Sequence, residues 1–256
     1  MSPPEIAAGQ ALDALDHALC RSAVWEALAL GFSRPSDETV ARLASREGAM
    51  ALAEAAFVLD QSDETDLTAA VRALGREPTP SRAALEDAYD RLFGHTARGV
   101  AAPYETEYGD DSPFLPQREM SDVAAFFRAF GLAVRAGARE RLDHLACECE
   151  FMLVLARKEA YALRAHDTVM LEETGRAYRL FLRAHLGRWA PAYSRKLAAE
   201  DRGHSYGALG ELCGRFVAIE CRRVGVPAGP ELLRLRSTEA ADAPMACGRL
   251  PEAGDS

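Results

Sequence analysis

The sequence is short of the residues that build sheets, cross-linked scaffolds and membrane spans. Alternating Val, Ile or Thr runs are nearly absent and aromatic residues are only 7% of the 256 positions, which excludes an all-β or α/β architecture. No stretch approaches the eighteen or so apolar residues of a spanning helix. The start, MSPPEIAAGQALDALDHALC, lacks the basic opening and apolar run of a secretory signal. A cytoplasmic protein without membrane insertion is therefore expected. Six cysteines (Cys20, Cys147, Cys149, Cys213, Cys221, Cys247) are too sparse for a disulfide framework, so reduced thiols are expected. Positive charge is also scarce: 30 Lys and Arg face 39 Asp and Glu, a net charge of -9. That balance argues against binding nucleic acid and suits a basic partner segment.

What the chain has is helix-forming residues. Ala, Leu, Arg and Glu dominate, and the expectation is an all-α fold: one helical domain of about ten helices with a long proline-bearing loop near the middle. Residues 1–9 read as a flexible N-terminus, 10–235 as the helical domain and 236–256 as a disordered tail. Leu12, Leu15, Leu19, Val24 and Leu28 recur at helical spacing over residues 10–32, until Pro35 breaks the helix and Ser36 caps the next. Shorter helices follow over 37–46, 48–60 and 65–74. Thr79 with Pro80 starts another, whose apolar stripe is Ala84, Leu85, Ala88, Leu92 and Phe93. Ser121 is read as an N-cap for a helix running to Gly131. Longer helices span about 141–165 and 168–186, the second stopped by Gly187, and then 190–200 and 205–224.

Residues 94–120, GHTARGVAAPYETEYGDDSPFLPQREM, form the least helical segment, with Pro103, Pro113 and Pro116 interrupting propagation. Loops this long inside a compact helical domain are usually functional or disordered, and Tyr104, Tyr108 and Phe114 argue against plain disorder. Acidic Glu105 and Glu107 sit between the tyrosines. Carboxylates pair with arginine and rings cover its planar face, so the pattern suits a cationic, partly apolar peptide.

The stretch RLDHLACECEFM, residues 141–152, carries the chain's densest polar chemistry. On a helix His144, Cys147 and Glu148 share a face at i, i+3 and i+4 and would begin a zinc site. Against this, no HExxH pattern or pair of CxxC motifs accompanies them, and cysteine packs as a small buried hydrophobe. No GxSxG elbow or phosphate-binding glycine loop supports a catalytic reading. The plainest reading makes Asp143 the helix cap, with Glu148 solvated or paired to Arg141 or His144.

Four stretches in order, LEDAYDRLFGH, PYETEY, FFRAFGLAV…ERLDHLACECEFM and FLRAHLGRWAPAYSRKL, resemble the TorD/DmsD/NarJ family of chaperones for molybdenum enzymes of the dimethyl sulfoxide reductase superfamily. The resemblance covers roughly residues 15–225. It implies an all-helical, non-enzymatic protein that needs no cofactor or metal. Such a protein binds the twin-arginine signal peptide, or another part, of an apo molybdopterin-containing catalytic subunit, until the molybdenum cofactor is inserted, and prevents premature export. The family's Asp-His pair matches Asp143 and His144, and its Tyr-x-x-Leu-Phe stretch matches Tyr89, Leu92 and Phe93. The proline-aromatic loop matches Pro103, Tyr104 and Tyr108, and the His-Leu-x-x-Trp-x-Pro stretch matches His185, Leu186, Trp189 and Pro191. Leu142 stands where the family usually has proline. The PYETEY form is most similar to chaperones of periplasmic type II enzymes, such as ethylbenzene and dimethylsulfide dehydrogenases and selenate and chlorate reductases.

On this reading Asp143, Glu105 and Glu107 face the arginines of the peptide, while Leu92, Phe93, Tyr104, Tyr108 and Phe127 line an apolar groove. His144, titrating near neutral pH, tunes release. Asp143 and His144 would then be replaceable by alanine with helicity and melting nearly unchanged. Two rivals stay open: a metal-dependent hydrolase using His144, Cys147 and Glu148, and a structural subunit of the mature complex. Monomer and dimer are both compatible with the sequence.

Overall fold

The computed structural model describes residues 8–62, 66–75, 81–94, 98–111, 114–133 and 140–237. Its architecture is all-α, with ten α-helices and, among the described residues, no β-strand beyond two isolated bridges. They are α1 (Ala8–Phe32), α2 (Asp37–Leu43), α3 (Arg46–Ser62), α4 (Leu67–Leu74), α5 (Arg82–Phe93), α6 (Leu115–Ala129), α7 (Leu145–Ala165), α8 (Thr168–Ala184), α9 (Leu186–Glu200) and α10 (Ser205–Arg223). The expected tail beyond residue 237, the start of the chain and the Thr79–Pro80 signal lie outside the described residues.

Local chemistry sets many of the helix ends. Ser36 accepts the Thr39 N–H while the Thr39 hydroxyl accepts the Ser36 N–H, a reciprocal cap that starts α2. Ser81 caps α5, its hydroxyl accepting the Ala84 N–H. Ser121 does not begin α6. Pro116 is tolerated in the first turn because no intrahelical N–H is needed there, so the helix starts at Leu115 and the Ser121 hydroxyl donates back to the Gln117 carbonyl.

Two long antiparallel seams carry the core. α1 lies along α7, and α9 lies along α10, with α8 against both α7 and α9. α1 buries Val24, Trp25, Leu28 and Phe32, whereas the expected core residue Leu19 is 48% exposed. Full burial of side chains this size contributes about 1.5–3 kcal/mol each. The seams are also tied through one buried polar chain. Trp25 Nε1 donates to the Tyr178 hydroxyl at 2.7 Å, and Tyr178 donates to Glu220. Arg223 and Arg21 flank that carboxylate, and Arg21 continues to Glu159 on α7 at 2.8 Å.

Between α8 and α9 the chain turns at His185 (φ -125, ψ -105), and Gly187 falls inside the next helix instead of stopping the last. A side chain at 187 would overlap the Leu182 carbonyl and the Cys221 sulfur. Glycine is needed there for close approach, not for termination. Pro191 sits within α9 and has no N–H for the Gly187 carbonyl. That carbonyl accepts the Gly229 N–H at 2.8 Å, which moors the segment after α10 against the start of α9.

Candidate functional site

The loop after α5 runs over the N-terminal end of α7 and pairs with it. Glu105 N donates to the Asp143 carbonyl at 2.9 Å, Leu145 N donates to the Pro103 carbonyl at 2.8 Å, and Tyr104 and His144 form an antiparallel bridge. α7 therefore begins at Leu145, not 141. Residues 105–107 make one turn of 3-10 helix.

Asp143 does not cap α7. Its fully buried carboxylate faces the loop: Oδ2 accepts the Thr106 hydroxyl at 2.7 Å and the Thr106 N–H at 3.2 Å. Arg141 adds Nε to Oδ1 and Nη2 to Oδ2, both at 3.0 Å. The same guanidinium lies 4.3 Å from the centre of the Tyr104 ring, a cation over a π face. The cap is His144, whose Nδ1 accepts the Ala146 N–H at 3.1 Å. An accepting Nδ1 places the ring proton on Nε2, which meets the Tyr89 hydroxyl at 3.4 Å. Burial drives the His144 pKa down from 6.5 to about 4, against the upward pull of Glu140 and Asp143. His144 is therefore neutral at physiological pH, and the expectation that it titrates near neutrality to tune release is corrected.

The loop acids are already engaged. Glu105 is fully buried; its carboxylate meets His185 Nδ1 at 3.0 Å and accepts Arg188 Nη2 at 2.7 Å. Glu107 pairs with Arg98. The expectation that Glu105 and Glu107 stand ready for a partner's arginines is corrected on this point: the chain's own cations hold both. Arg188 also reaches Glu119 at 2.9 Å, and Glu119 holds Arg236 from the segment after α10.

The apolar members of the expected groove form interior packing. Tyr89, Leu92, Phe93 and Tyr108 are buried, as is Phe127, which stacks on Phe151 at 4.9 Å. Tyr108 stacks on Trp189 at 5.3 Å and donates to the Ala102 carbonyl. Pro103 is buried too, so of the expected contact residues only Tyr104 and Glu107 are partly open to solvent. An apolar groove does exist elsewhere, between α6 and α8. It has a volume of ≈ 670 Å³; Phe126, Phe130, Val169, Met170 and Leu180 line it together with the charged Lys158, Asp167, Glu173 and Arg176. The missed residues are Thr106, Arg141, Arg188, Glu119 and Arg236. Their partners lie up to 138 positions away, and only the LLRLRS stretch of 232–237 carried a local signal.

The metal arrangement does not assemble. His144 precedes the helix, so the i, i+3, i+4 geometry with Cys147 and Glu148 is lost. Glu148 turns inward to accept Trp189 Nε1 at 3.2 Å. Burial raises the Cys147 thiol to about 12 and holds Glu148 well above the usual carboxylate range. No group of three His, Cys, Asp or Glu side chains is placed to hold a metal among the described residues. There the cysteines are all free thiols and no helix is long and apolar enough to cross a membrane.

Comparison with known proteins bears on this geometry. The family model described as nitrate reductase delta subunit matches residues 58–194, more than half of the chain and the part that holds the loop, Asp143–His144 and His185–Pro191. The chain is 38% identical over 117 residues to the selenate reductase assembly chaperone protein of Thauera selenatis, covering 46% of this chain and 58% of the relative. It is 28% identical over 195 residues to chaperone protein TorD of Vibrio cholerae, covering 75% of this chain and 86% of the relative. The chlorate reductase assembly chaperone protein of Ideonella dechloratans is 31% identical over 106 residues, covering 41% of this chain and 53% of the relative. The chain thus belongs to the nitrate reductase delta subunit family, the TorD/NarJ group that its motifs resemble.

Proposed function

We propose that the protein is a maturation chaperone. It binds the apo catalytic subunit of a molybdopterin oxidoreductase through its twin-arginine signal peptide, its mature part or both, and holds it in the cytoplasm until the cofactor is in place. The observation that carries this reading is the extent of the family match, which takes in the whole loop–α7 junction. The names of relatives that serve selenate and chlorate reductases agree with it. The work is binding and release. His144 spends both ring nitrogens on structural contacts and the α7 thiols are driven away from the thiolate form, so these residues shape a surface and do not attack a substrate. The junction presents Tyr104 and Arg141, partly open to solvent, and Val100 and Phe114 to either side of the 103–111 loop and Leu232 after α10 are exposed. The apolar groove between α6 and α8 offers a second place for an apolar client segment.

The test is a pull-down of the tagged protein from its native cells grown with and without molybdate. A large molybdopterin-type subunit enriched under molybdate scarcity is the expected result. Equal recovery under both conditions, with cofactor-loaded active enzyme, would instead identify a permanent subunit.

A further inference from the structure

Arg236 is the most deeply held arginine of the loop region, 5% exposed. Its carbonyl accepts Arg98 Nη1 at 2.6 Å, and the following Ser237 N donates to Asp111 Oδ1 at 2.8 Å. Arg236 Nε donates to the Asp110 carbonyl at 2.9 Å and its Nη1 to the Thr106 carbonyl at 2.7 Å. Nη1 and Nη2 also donate to the two Glu119 oxygens at 2.9 and 3.2 Å. This is a fork-on-fork pairing closed by carbonyls, a geometry that guanidinium fits and ammonium does not. The backbone on either side pairs with the loop edge. Gly109 N donates to the Arg234 carbonyl at 2.9 Å, Arg236 N donates to the Glu107 carbonyl at 2.8 Å, and Tyr108 and Leu235 form an antiparallel bridge. Gly109 has φ +112, and a Cβ there would press on Arg236 Nη2 at 3.2 Å. The cradle thus depends on glycine at its rim.

We infer that this cradle of Glu119, the Thr106 and Asp110 carbonyls and the 107–109 backbone edge is a docking site for an extended arginine-bearing peptide segment of the client, and that residues 234–236 occupy it in the client's absence. The polar contacts made there are to backbone, to the Arg236 guanidinium and to the Asp111 carboxylate, and Leu233 and Leu235 pack against the core. An extended strand with arginine at that register and apolar residues one and three positions before it reproduces them, the mode of strand addition to an exposed edge. Part of the occupying segment stands open to solvent: Leu232 is 79% exposed, and the Arg234 side chain, 79% exposed, reaches Asp111 only at 3.7 Å. The cradle also survives vacancy. Glu119 keeps its 2.9 Å bond to Arg188 when Arg236 leaves, so no bare buried charge is created. The identity of the guest as client rests on the chaperone reading; the exchangeable arginine site does not.

The probe is a dye-labelled synthetic copy of residues 230–237, PELLRLRS, titrated into the full-length protein. R236Q, checked for native helicity by circular dichroism, is expected to bind it saturably. Wild type should bind it about tenfold more weakly or less, and so should R236Q with a probe whose arginines are lysines. Adding E119Q to R236Q should abolish binding. If R236Q loses its fold, R236K serves in its place, because it keeps the charge but loses the fork. Binding to wild type and R236Q alike, or to R236Q and the E119Q double variant alike, overturns the site. In the pull-down R236Q should then retain more client than wild type. Unchanged retention with intact probe binding overturns the client as guest and leaves the chaperone reading standing. Failure of wild type to capture any client while the probe result holds removes the chaperone reading and leaves the site.

Discussion

The two ends of the 103–111 loop are held in different ways. At one end Asp143 and His144 fasten the loop to α7 with side chains that are fully buried and form part of a helix start. At the other end Arg236 fastens it to an extended segment whose neighbours are largely open to solvent. Removing Asp143 strands the Thr106 donors and leaves Arg141 only the Thr106 hydroxyl and the Tyr104 ring. Removing Arg236 leaves Glu119 still paired with Arg188. One clasp is built to stay closed and the other can open without leaving a naked charge.

Substitutions on either side break the difference between the two clasps. Asp143→Ala with His144→Ala is expected to destabilise by about 3 kcal/mol or more in urea unfolding, since it removes a buried, hydrogen-bonded carboxylate and a helix cap. Melting unchanged from wild type would restore the expectation of a replaceable surface pair.

The second effect is on pH. The His144 pKa is about 4 when folded and near 6.5 when not. Between those values the unfolded chain binds the proton that the folded one refuses. The stability tied to a neutral His144 is therefore complete above pH 6.5 and is lost as pH falls toward 4, a change on the order of 3 kcal/mol. Glu148, raised by burial, runs the other way, so the comparison must be with His144→Asn, which keeps the cap without the titration. The difference between the two stability curves should vanish as a function of pH above 6.5. A difference with the same slope on both sides of that value would count against a neutral buried His144.

Arg236→Gln should cost only about 1 kcal/mol. A loss equal to that of Asp143→Ala would erase the contrast between the two clasps. Glu107→Gln, at a pair whose side chains are 22% and 25% exposed, should cost less than about 1 kcal/mol and less still at high salt. A salt-independent loss would place that pair inside the permanent clasp.

Local signals carried the fold class and many of the helix ends. Pro35 with Ser36, and the helical spacing that ends near Val224, read correctly because propensity, capping and breakers act within a few residues. The Asp-His pair and the PYETEY loop stand out in the sequence, but their burial does not. An acid looks free in a sequence until its cation is found, and those of Glu105 and Glu119 stand 83 and 117 positions away. The His185 turn was missed for a related reason: the glycine two residues on is required by Leu182 and Cys221 packing against it, a tertiary demand that resembles a helix stop.

The bond from Gly229 to the Gly187 carbonyl has a consequence for how the far end of the chain behaves in time. Its amide sits in an irregular segment, yet it answers a carbonyl that Pro191 leaves without an intrahelical partner. In hydrogen–deuterium exchange that single amide should be retained about as long as the α9 amides around it, while those of 231–233 exchange early. A protease would find its cuts on the C-terminal side of residue 229, and a shortened version of the protein must keep that glycine, where any side chain would overlap the Arg188 carbonyl.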